Sequence, residues 1–118
     1  MFDVAIVGSG PGGATCAAFC ARAGLHTLLL ERETFPREKV CGDCLNPSCT
    51  PVLGRLGIAD RVRDLAHGKL RRVDFIAIGG RTTSVELPPD AEIAVKRSLF
   101  DELLMEEAKN VGAEIRQV

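Results

Sequence analysis

The sequence predicts an α/β domain that begins with a parallel β-sheet. Two short apolar runs, residues 2–7 (FDVAIV) and 26–30 (HTLLL), are typical of strands buried on both faces of such a sheet. A glycine-rich turn follows the first run, and a helix of small residues at 14–23 connects it to the second. These observations predict a strand–turn–helix–strand unit with a right-handed connection.

The later elements are predicted from helical spacing, turn residues and capping signals. Gly24 is expected to end the first helix as its C′ residue. Gly79 and Gly80 indicate the turn of a β-hairpin, and Ser98 with Asp101 forms a capping box at the start of a late amphipathic helix. In order, we expect a loop at 32–51, a helix at 52–64, hairpin strands at 71–78 and 82–87, a strand at 93–95, a helix at 98–110 and a strand at 113–118.

The composition is that of one globular domain, with 118 residues, 46% of them hydrophobic and 26% charged. A formal net charge of −1 gives no electrostatic basis for binding nucleic acid. No apolar run approaches the roughly 18 residues of a membrane-spanning helix. The N-terminus lacks the basic and apolar regions of a secretory signal. Five cysteines outside any secreted-type framework are typical of reduced thiols, so we expect a cytoplasmic protein.

The glycine motif at residues 8–13 (GSGPGG) carries the strongest chemical signal, because it follows a strand and opens a helix. Gly8 permits the tight turn, Gly10 lets the backbone approach a pyrophosphate, and Gly13 allows close helix–strand packing. N–H groups and the dipole of the helix N-terminus stabilise phosphates. Glu31, after the second strand, is placed to accept hydrogen bonds from an adenosine ribose and disfavours a 2′-phosphate. The motif therefore predicts a Rossmann-type dinucleotide site, and the alternative is a glycine-rich turn in an unrelated α/β domain.

Three longer segments resemble the N-terminal part of FAD-dependent oxidoreductases: VAIVGSGPGGATCAAFCARAG, LLLERETFPREKVCGDCLNP and VKRSLFDELLMEEAKNVGAEI. The chain is most similar to geranylgeranyl reductase-like flavoproteins, which are related in fold to flavin monooxygenases of the aromatic-hydroxylase type. The resemblance covers nearly the whole chain, and its most specific piece is FPREKVCGD at residues 35–43. It implies FAD as cofactor, a choice that the glycine motif leaves open between FAD and NAD.

The resemblance also implies which residues contact each part of FAD. Glu31 would bind the adenosine ribose, Arg32 would lie on the adenine side, and Arg97 would contact the cofactor; the alternative for Arg97 is a solvated arginine at the head of the late helix. The segment Cys41-Gly42-Asp43 would lie beside the isoalloxazine ring, with Cys41 as the one candidate for a catalytic role. The residues that would hold the FAD pyrophosphate are Gly8, Ser9, Gly10, Pro11, Gly12 and Gly13.

Four segments of an FAD-binding domain follow from this resemblance. They are the βαβ unit at 1–34, a flavin-side loop and helix at 35–66, inserted strands at 67–95, and a helix with the start of the next strand at 96–118. Family members are much longer, and their later glycine–aspartate motif and most of their substrate domain have no counterpart in this sequence. We therefore expect a Rossmann-type FAD-binding α/β fold with an inserted β-hairpin region, truncated before completion.

The function implied by the resemblance is that of a flavin-dependent oxidoreductase. The complete protein would reduce C=C bonds of an isoprenoid lipid or a quinone side chain, with NAD(P)H as a candidate electron donor, and the 118-residue chain alone would be inactive. Alternatives are a flavin monooxygenase or halogenase on the same fold, and a non-catalytic nucleotide-binding remnant. A small-molecule or lipid substrate is the expected partner. The basic residues between 61 and 72 indicate either peripheral contact with an anionic lipid or phosphate group, or an exposed helix-to-strand connection.

The cysteines support another class of flavoenzyme. Cys44 and Cys49 are spaced like the redox-active C-x-x-x-x-C pair of dihydrolipoamide dehydrogenase and glutathione reductase, which follows the same FAD-binding unit. Such a pair needs a thiolate of lowered pKa beside the flavin. The paired glycines that precede the pair in that family are here Gly42-Asp43. Cys41 with Cys44 forms a C-x-x-C, but no second ligand pair follows, and no metal site is predicted.

Two other groups of side chains are predicted to be structural. Cys16 and Cys20, four residues apart on the first helix, are expected to pack against the sheet as small residues. The late helix carries several acids that we expect to form a solvated face: Asp101, Glu102, Glu106 and Glu107, together with Lys109.

Overall fold

The computed structural model describes residues 1–40, 44–89 and 91–118, which belong to two compact units. Met1–Gly42 and Arg97–Val118 form the first unit, and Asp43–Lys96 forms the second. In chain order the elements are β1 (Val4–Val7), α1 (Pro11–Arg22), β2 (Thr27–Glu31), β3 (Cys44–Leu45), a 3₁₀ turn (Pro47–Cys49), α2 (Thr50–Leu56), α3 (Ala59–Asp64), β4 (Ala66–Leu70), β5 (Arg72–Ile76), β6 (Thr82–Glu86), β7 (Glu92–Val95), α4 (Arg97–Asn110) and β8 (Glu114–Gln117).

The first unit contains a three-stranded parallel sheet in the order β1-β2-β8. Val4 lies opposite Thr27 in the first pair of strands, and Leu29 lies opposite Ile115 in the second. The sheet confirms the predicted βαβ unit and the predicted last strand, and with its helices it confirms the α/β class. It is a parallel sheet because α1 carries the chain back from the end of β1 to the start of β2.

Burial of β1 differs from the expectation of a strand covered on both faces. Its residues alternate between half-buried and exposed, and Val7 is 83% exposed. Ile6 faces α1, since its Cγ2 atom lies 3.5 Å from the position that a Cβ on Gly13 would take. β1 lies at the edge of the described sheet, whereas the central strand β2 buries Leu28 and Leu29.

Helices α1 and α4 pack against each other and supply most of the first unit's core. Gly24, with φ of +84°, ends α1 as predicted, because a left-handed residue at this point is easiest for glycine. Cys16 is exposed and Cys20 only partly buried, so the prediction that this pair packs on the sheet is wrong for Cys16. The buried face of α1 is made by alanines instead: Ala14, Ala17 and Ala18.

The start of α4 differs from the predicted capping box. The helix begins at Arg97, so Ser98 lies inside its first turn and is buried. Asp101 is fully buried and its carboxylate binds arginine side chains. The predicted solvated acidic face is therefore wrong for Asp101 and also for Glu107, which is buried and forms a 2.7 Å ion pair with Arg22 of α1.

The second unit contains an antiparallel sheet in the order β3-β7-β4 and a separate hairpin of β5 and β6. The hairpin confirms the inserted β-hairpin region, and both turn glycines, Gly79 and Gly80, have positive φ. Strands β3 and β4 are not predicted by the sequence. The helix expected at 52–64 is two helices, because Gly57 adopts a left-handed φ of +74° and ends α2. None of the helices in the described part of the chain is long and apolar enough to cross a membrane.

Candidate functional site

A cleft of about 560 Å³ in the first unit joins the glycine turn to the carboxyl end of β2. Eight of the residues predicted to bind a cofactor line this cleft: Gly8, Gly10, Pro11, Gly12, Gly13, Glu31, Arg32 and Arg97. Ser9 is fully buried beside it. The remaining predicted residues, Cys41, Gly42 and Asp43, lie outside the residues that the structure describes. Most of the residues predicted for one ligand are thus brought together in one place.

The glycine turn has the close packing that its sequence predicts. Gly8 has a φ of +92°, and its N–H donates a 2.7 Å hydrogen bond to the carbonyl oxygen of Leu30 on β2. A Cβ on Gly13 would overlap the carbonyl oxygen of Gly8, so any larger residue at 13 would force α1 away from the turn. Gly10 caps α1 without a side chain, and no side chain among the described residues forms a capping hydrogen bond at the helix N-terminus. The amides of the first turn therefore face the cleft as donors for an anion.

Glu31 holds the turn against the end of β2. One oxygen of its carboxylate, Oε2, accepts 2.8 Å hydrogen bonds from both the N–H and the hydroxyl of Ser9. The other oxygen, Oε1, accepts from the N–H groups of Arg32 and Glu33 at 2.8 and 2.9 Å. Burial by itself would raise the pKa of Glu31, but these four hydrogen bonds outweigh it and lower the pKa to about 2. Glu31 is therefore an ionised anchor of the turn, a role that sequence reasoning missed when it considered only the ribose.

Ser9 and Arg32 are placed differently from the other predicted ligands. Both donors of Ser9, its N–H and its hydroxyl, point to Glu31. Arg32 lies at the rim of the cleft, where its side chain is 82% exposed and forms a 3.3 Å ion pair with Glu33. The side chain of Arg32 thus lies on the solvent side of the cleft.

Two arginines meet at one buried carboxylate beside the turn. Arg97 donates through Nε and Nη2 to the two carboxylate oxygens of Asp101, at 2.8 and 3.0 Å. Arg37 lies across from it, with Nη2 3.3 Å from Oδ2 of Asp101 and its guanidinium carbon 4.9 Å from the ring centroid of Phe35. Both arginine side chains are 13% exposed. The alternative of a solvated Arg97 is therefore wrong.

Arg37 is a cleft residue that sequence reasoning did not single out, although it stands inside the FPREKVCGD segment that carries the most specific resemblance. Its Nη2 lies 3.8 Å from the position of a Cβ on Gly10, which places the guanidinium over the glycine turn. Its Nε and Nη1 are buried, and neither has a hydrogen-bond partner among the described residues. Buried donors of this kind are costly, and an anionic ligand would satisfy them.

In the cysteine pair of the second unit, Cys49 lacks the lowered pKa that disulfide exchange needs. Cys44 is exposed and Cys49 partly buried, and both are free thiols. Burial raises the pKa of Cys49, whereas an attacking cysteine requires a lowered pKa. In the described ranges, no group of three or more histidine, cysteine or acidic side chains could hold a metal ion.

Comparisons with known proteins place these features in a family. Residues 1–118 match the family described as FAD binding domain. Menaquinone reductase from Mycobacterium tuberculosis is 37% identical over 116 residues, which cover 94% of this chain and 28% of that protein. The FAD-dependent chondrochloren halogenase of a myxobacterium gives a TM-score of 0.85 at 29% identity and covers 98% of this chain and 28% of its own.

A second solved structure supports the predicted resemblance directly. A geranylgeranyl bacteriochlorophyll reductase-like protein from Thermoplasma acidophilum gives a TM-score of 0.77 at 26% identity, covering 97% of this chain and 29% of its own. The resemblance predicted from sequence is thereby confirmed. The chain spans less than a third of the length of each of these three proteins.

The cleft itself fits the diphosphate group of FAD. The N-terminus of α1, which has no side-chain cap among the described residues, offers amide donors, and the absence of a side chain at Gly10 leaves the turn open to close approach. The unpartnered Nε and Nη1 of Arg37 supply two further charged donors on the same side. A diphosphate carries the acceptors and the negative charge that these groups lack.

Proposed function

This chain belongs to the family of FAD-binding domains, and we propose that it holds FAD in an oxidoreductase that reduces C=C bonds of an isoprenoid lipid or a quinone side chain. The cleft that joins the glycine turn, Glu31 and the unpartnered Arg37 is the observation that carries the cofactor assignment. The 37% identity to a menaquinone reductase supports the choice of substrate class. So does the likeness to a geranylgeranyl bacteriochlorophyll reductase-like protein.

The proposed division of labour follows the positions of the side chains. The amides of the turn and the guanidinium of Arg37 bind the diphosphate, and Arg97 adds a second positive charge beside it. Glu31 keeps the turn in place and shares its ionised carboxylate with the adenosine ribose, while Arg32 covers the adenine from the rim. When bound, FAD supplies the electron transfer, and the protein supplies binding and orientation.

The substrate and the electron donor are part of this proposal. NAD(P)H would be oxidised to NAD(P)⁺, and the C=C bond of the substrate would gain the equivalent of one hydride and one proton. A small-molecule or lipid substrate remains the expected partner. Contact of the basic residues between 61 and 72 with an anionic lipid surface remains a prediction, as does a cytoplasmic location.

A test begins with the gene, which is read past the codon for Val118 so that the whole encoded polypeptide can be expressed. We expect the purified protein to contain FAD and, without oxygen, to convert a menaquinone with NAD(P)H into a product whose isoprenoid side chain has gained two hydrogen atoms; reoxidation of the ring before mass analysis separates this product from the quinol. A protein that neither contains nor binds FAD would contradict the cofactor assignment. A protein that binds FAD but leaves the quinone side chain unchanged would contradict the substrate class.

Halogenation or oxygenation is a second candidate function, favoured by the TM-score of 0.85 to the chondrochloren halogenase. The same protein preparation separates the two candidates. Product formation that requires oxygen, with or without a halide ion, would favour the monooxygenase or halogenase function. The disulfide-exchange function is disfavoured by the raised pKa of Cys49. A non-catalytic remnant would turn over neither type of substrate and would bind adenine nucleotides weakly at best.

The proposed catalytic role of Cys41 is tested by Cys41→Ala in the FAD-loaded protein. If the thiol moves a proton near the flavin, turnover should fall by about a hundredfold or more while FAD remains bound. Cys44→Ala is the matched control, because it removes an exposed thiol three residues away. Unchanged turnover in the Cys41 variant would remove this cysteine from the mechanism.

A further inference from the structure

Asp101 is a fully buried acid located beside a cleft that is built to receive an anion. Its charge is of the same sign as that of a diphosphate and, considered alone, would oppose binding. Yet the carboxylate is occupied by Arg97 through two hydrogen bonds and by Arg37 through an ion pair. The cluster therefore places a buried carboxylate against two arginines that line a cleft suited to an anion.

The geometry of the cluster indicates that Asp101 orients the two guanidinium groups. The Asp101 carboxylate fixes the plane of the Arg97 guanidinium, because its two oxygens accept separately from Nε and Nη2. Oδ2 of Asp101 is shared, and it lies 3.3 Å from Nη2 of Arg37. One side chain on α4 therefore sets the positions of two arginines that are 60 residues apart in the sequence.

Arg37 is held in a way that leaves its other donors for a ligand. Asp101 engages Nη2, and the ring of Phe35 lies 4.9 Å from the guanidinium carbon. The donors that remain, Nε and Nη1, are the two buried atoms that have no partner among the described residues. Nη2 also lies 3.8 Å from the position of a Cβ on Gly10, so the held guanidinium stands over the turn.

We propose that Asp101 is a positioning residue for the FAD diphosphate, which orients Arg37 and Arg97 at the glycine turn without touching the cofactor itself. This inference rests on the proposed FAD site. The positioning role and a purely electrostatic role predict opposite changes in FAD affinity when the Asp101 charge is removed. Removal of a negative charge near an anion should tighten binding by electrostatics, whereas loss of the positioning carboxylate should weaken it.

The test measures FAD affinity by flavin fluorescence quenching in the whole encoded polypeptide after removal of FAD. Asp101→Asn should raise the Kd for FAD about 10- to 100-fold, the loss expected when hydrogen bonds to a charged group are misaligned. Glu106→Gln is the matched control, because it removes one exposed negative charge from the same helix. Its Kd should equal that of the wild type. An Asp101→Asn protein that binds FAD as tightly as the wild type, or more tightly, would overturn the inference.

A double variant tells positioning from a general effect on folding. If Asp101 acts through the two arginines, Asp101→Asn should weaken binding much less in an Arg37→Met/Arg97→Gln background than in the wild type. Equal weakening in both backgrounds would overturn the proposed route. Unfolding temperatures of the FAD-free proteins, measured in parallel, show which variants are folded.

Asp101→Glu covers the case in which the Asn variant does not fold. It keeps the charge but moves the carboxylate by one methylene. A positioning role therefore predicts a raised Kd for FAD, whereas an effect of charge alone predicts an unchanged Kd. A wild-type Kd in this variant would overturn the inference. Failure of the wild-type protein itself to bind FAD would instead overturn the proposed function, and the positioning role with it.

Discussion

Glu31→Gln is the substitution whose effect can be worked most directly from the structure. Glu31 is 7% exposed, and its carboxylate accepts four hydrogen bonds, two of them from Ser9. A glutamine offers one oxygen and one NH₂ group, so its NH₂ would face N–H donors of the turn or of the chain after β2. The variant therefore loses favourable bonds and sets donors against donors.

The magnitude follows from the pKa of Glu31. A fall from the ordinary 4.5 to about 2, at about 1.4 kcal/mol for each pH unit, corresponds to about 3 kcal/mol of stability. Because the pKa is lower in the folded protein, this stabilisation is complete above the unfolded value of 4.5. It is lost as the pH falls from 4.5 towards about 2.

Urea unfolding of wild type and Glu31→Gln between pH 7 and pH 2 measures this contribution. We expect a difference in the free energy of unfolding of about 3 kcal/mol at pH 7 that shrinks across the acid range. Glu33→Gln is the matched control, because its carboxylate is 53% exposed and its ion pair with Arg32 should contribute little at any pH. A difference for Glu31→Gln that stays constant from pH 7 to pH 2 would refute the reasoning.

Two further substitutions test the cleft. Gly13→Ala should abolish FAD binding and lower the unfolding temperature, because its Cβ would overlap a backbone carbonyl of the turn. Gly12→Ala is the control, and it should keep the wild-type unfolding temperature because the space around its Cβ is open. Arg37→Met should raise the Kd for FAD about tenfold in a fluorescence titration, because it removes two unpartnered buried donors. It should also lower the unfolding temperature of the FAD-free protein, because the buried Asp101 loses an ion pair. Unchanged FAD affinity in either Gly13→Ala or Arg37→Met would contradict the proposed site.

The parts of the fold that could be predicted are those whose information is local. The βαβ unit follows from an apolar run, a glycine turn and a second apolar run within about 30 residues. Gly24 and the hairpin glycines mark their turns because positive φ excludes most other residues. The strands that could not be predicted lack such signals. β3 has only two residues, β4 contains Gly68, and both are defined by pairing with the later strand β7.

Asp101 shows why a correct local rule can give a wrong result. An acid three residues after Ser98 fits a capping box, and nothing near it in sequence argues otherwise. The tertiary structure brings Arg37 to the same carboxylate, and two arginines hold Asp101 more strongly than one backbone amide could. The helix then begins at Arg97, and Ser98 enters its first turn. A contact across 64 residues decides the role of the acid, and sequence spacing cannot report it.

The two buried acids of the cleft act by the same physical principle. Glu31 accepts hydrogen bonds from Ser9 of the glycine turn and from the chain after β2. Asp101 binds the guanidinium groups of the two arginines beside the turn. Each acid forms its bonds with donors of the protein itself. Other donors of the cleft remain for the ligand, namely the amides of α1 and two nitrogen atoms of Arg37. An acid at the end of β2 is therefore evidence about the turn as well as about a ribose. Glu31→Gln should therefore weaken FAD binding in two ways, through a loosened glycine turn and through a lost contact with the ribose. Only the loosened turn also lowers the free energy of unfolding at neutral pH, so the stability measurement separates the two effects.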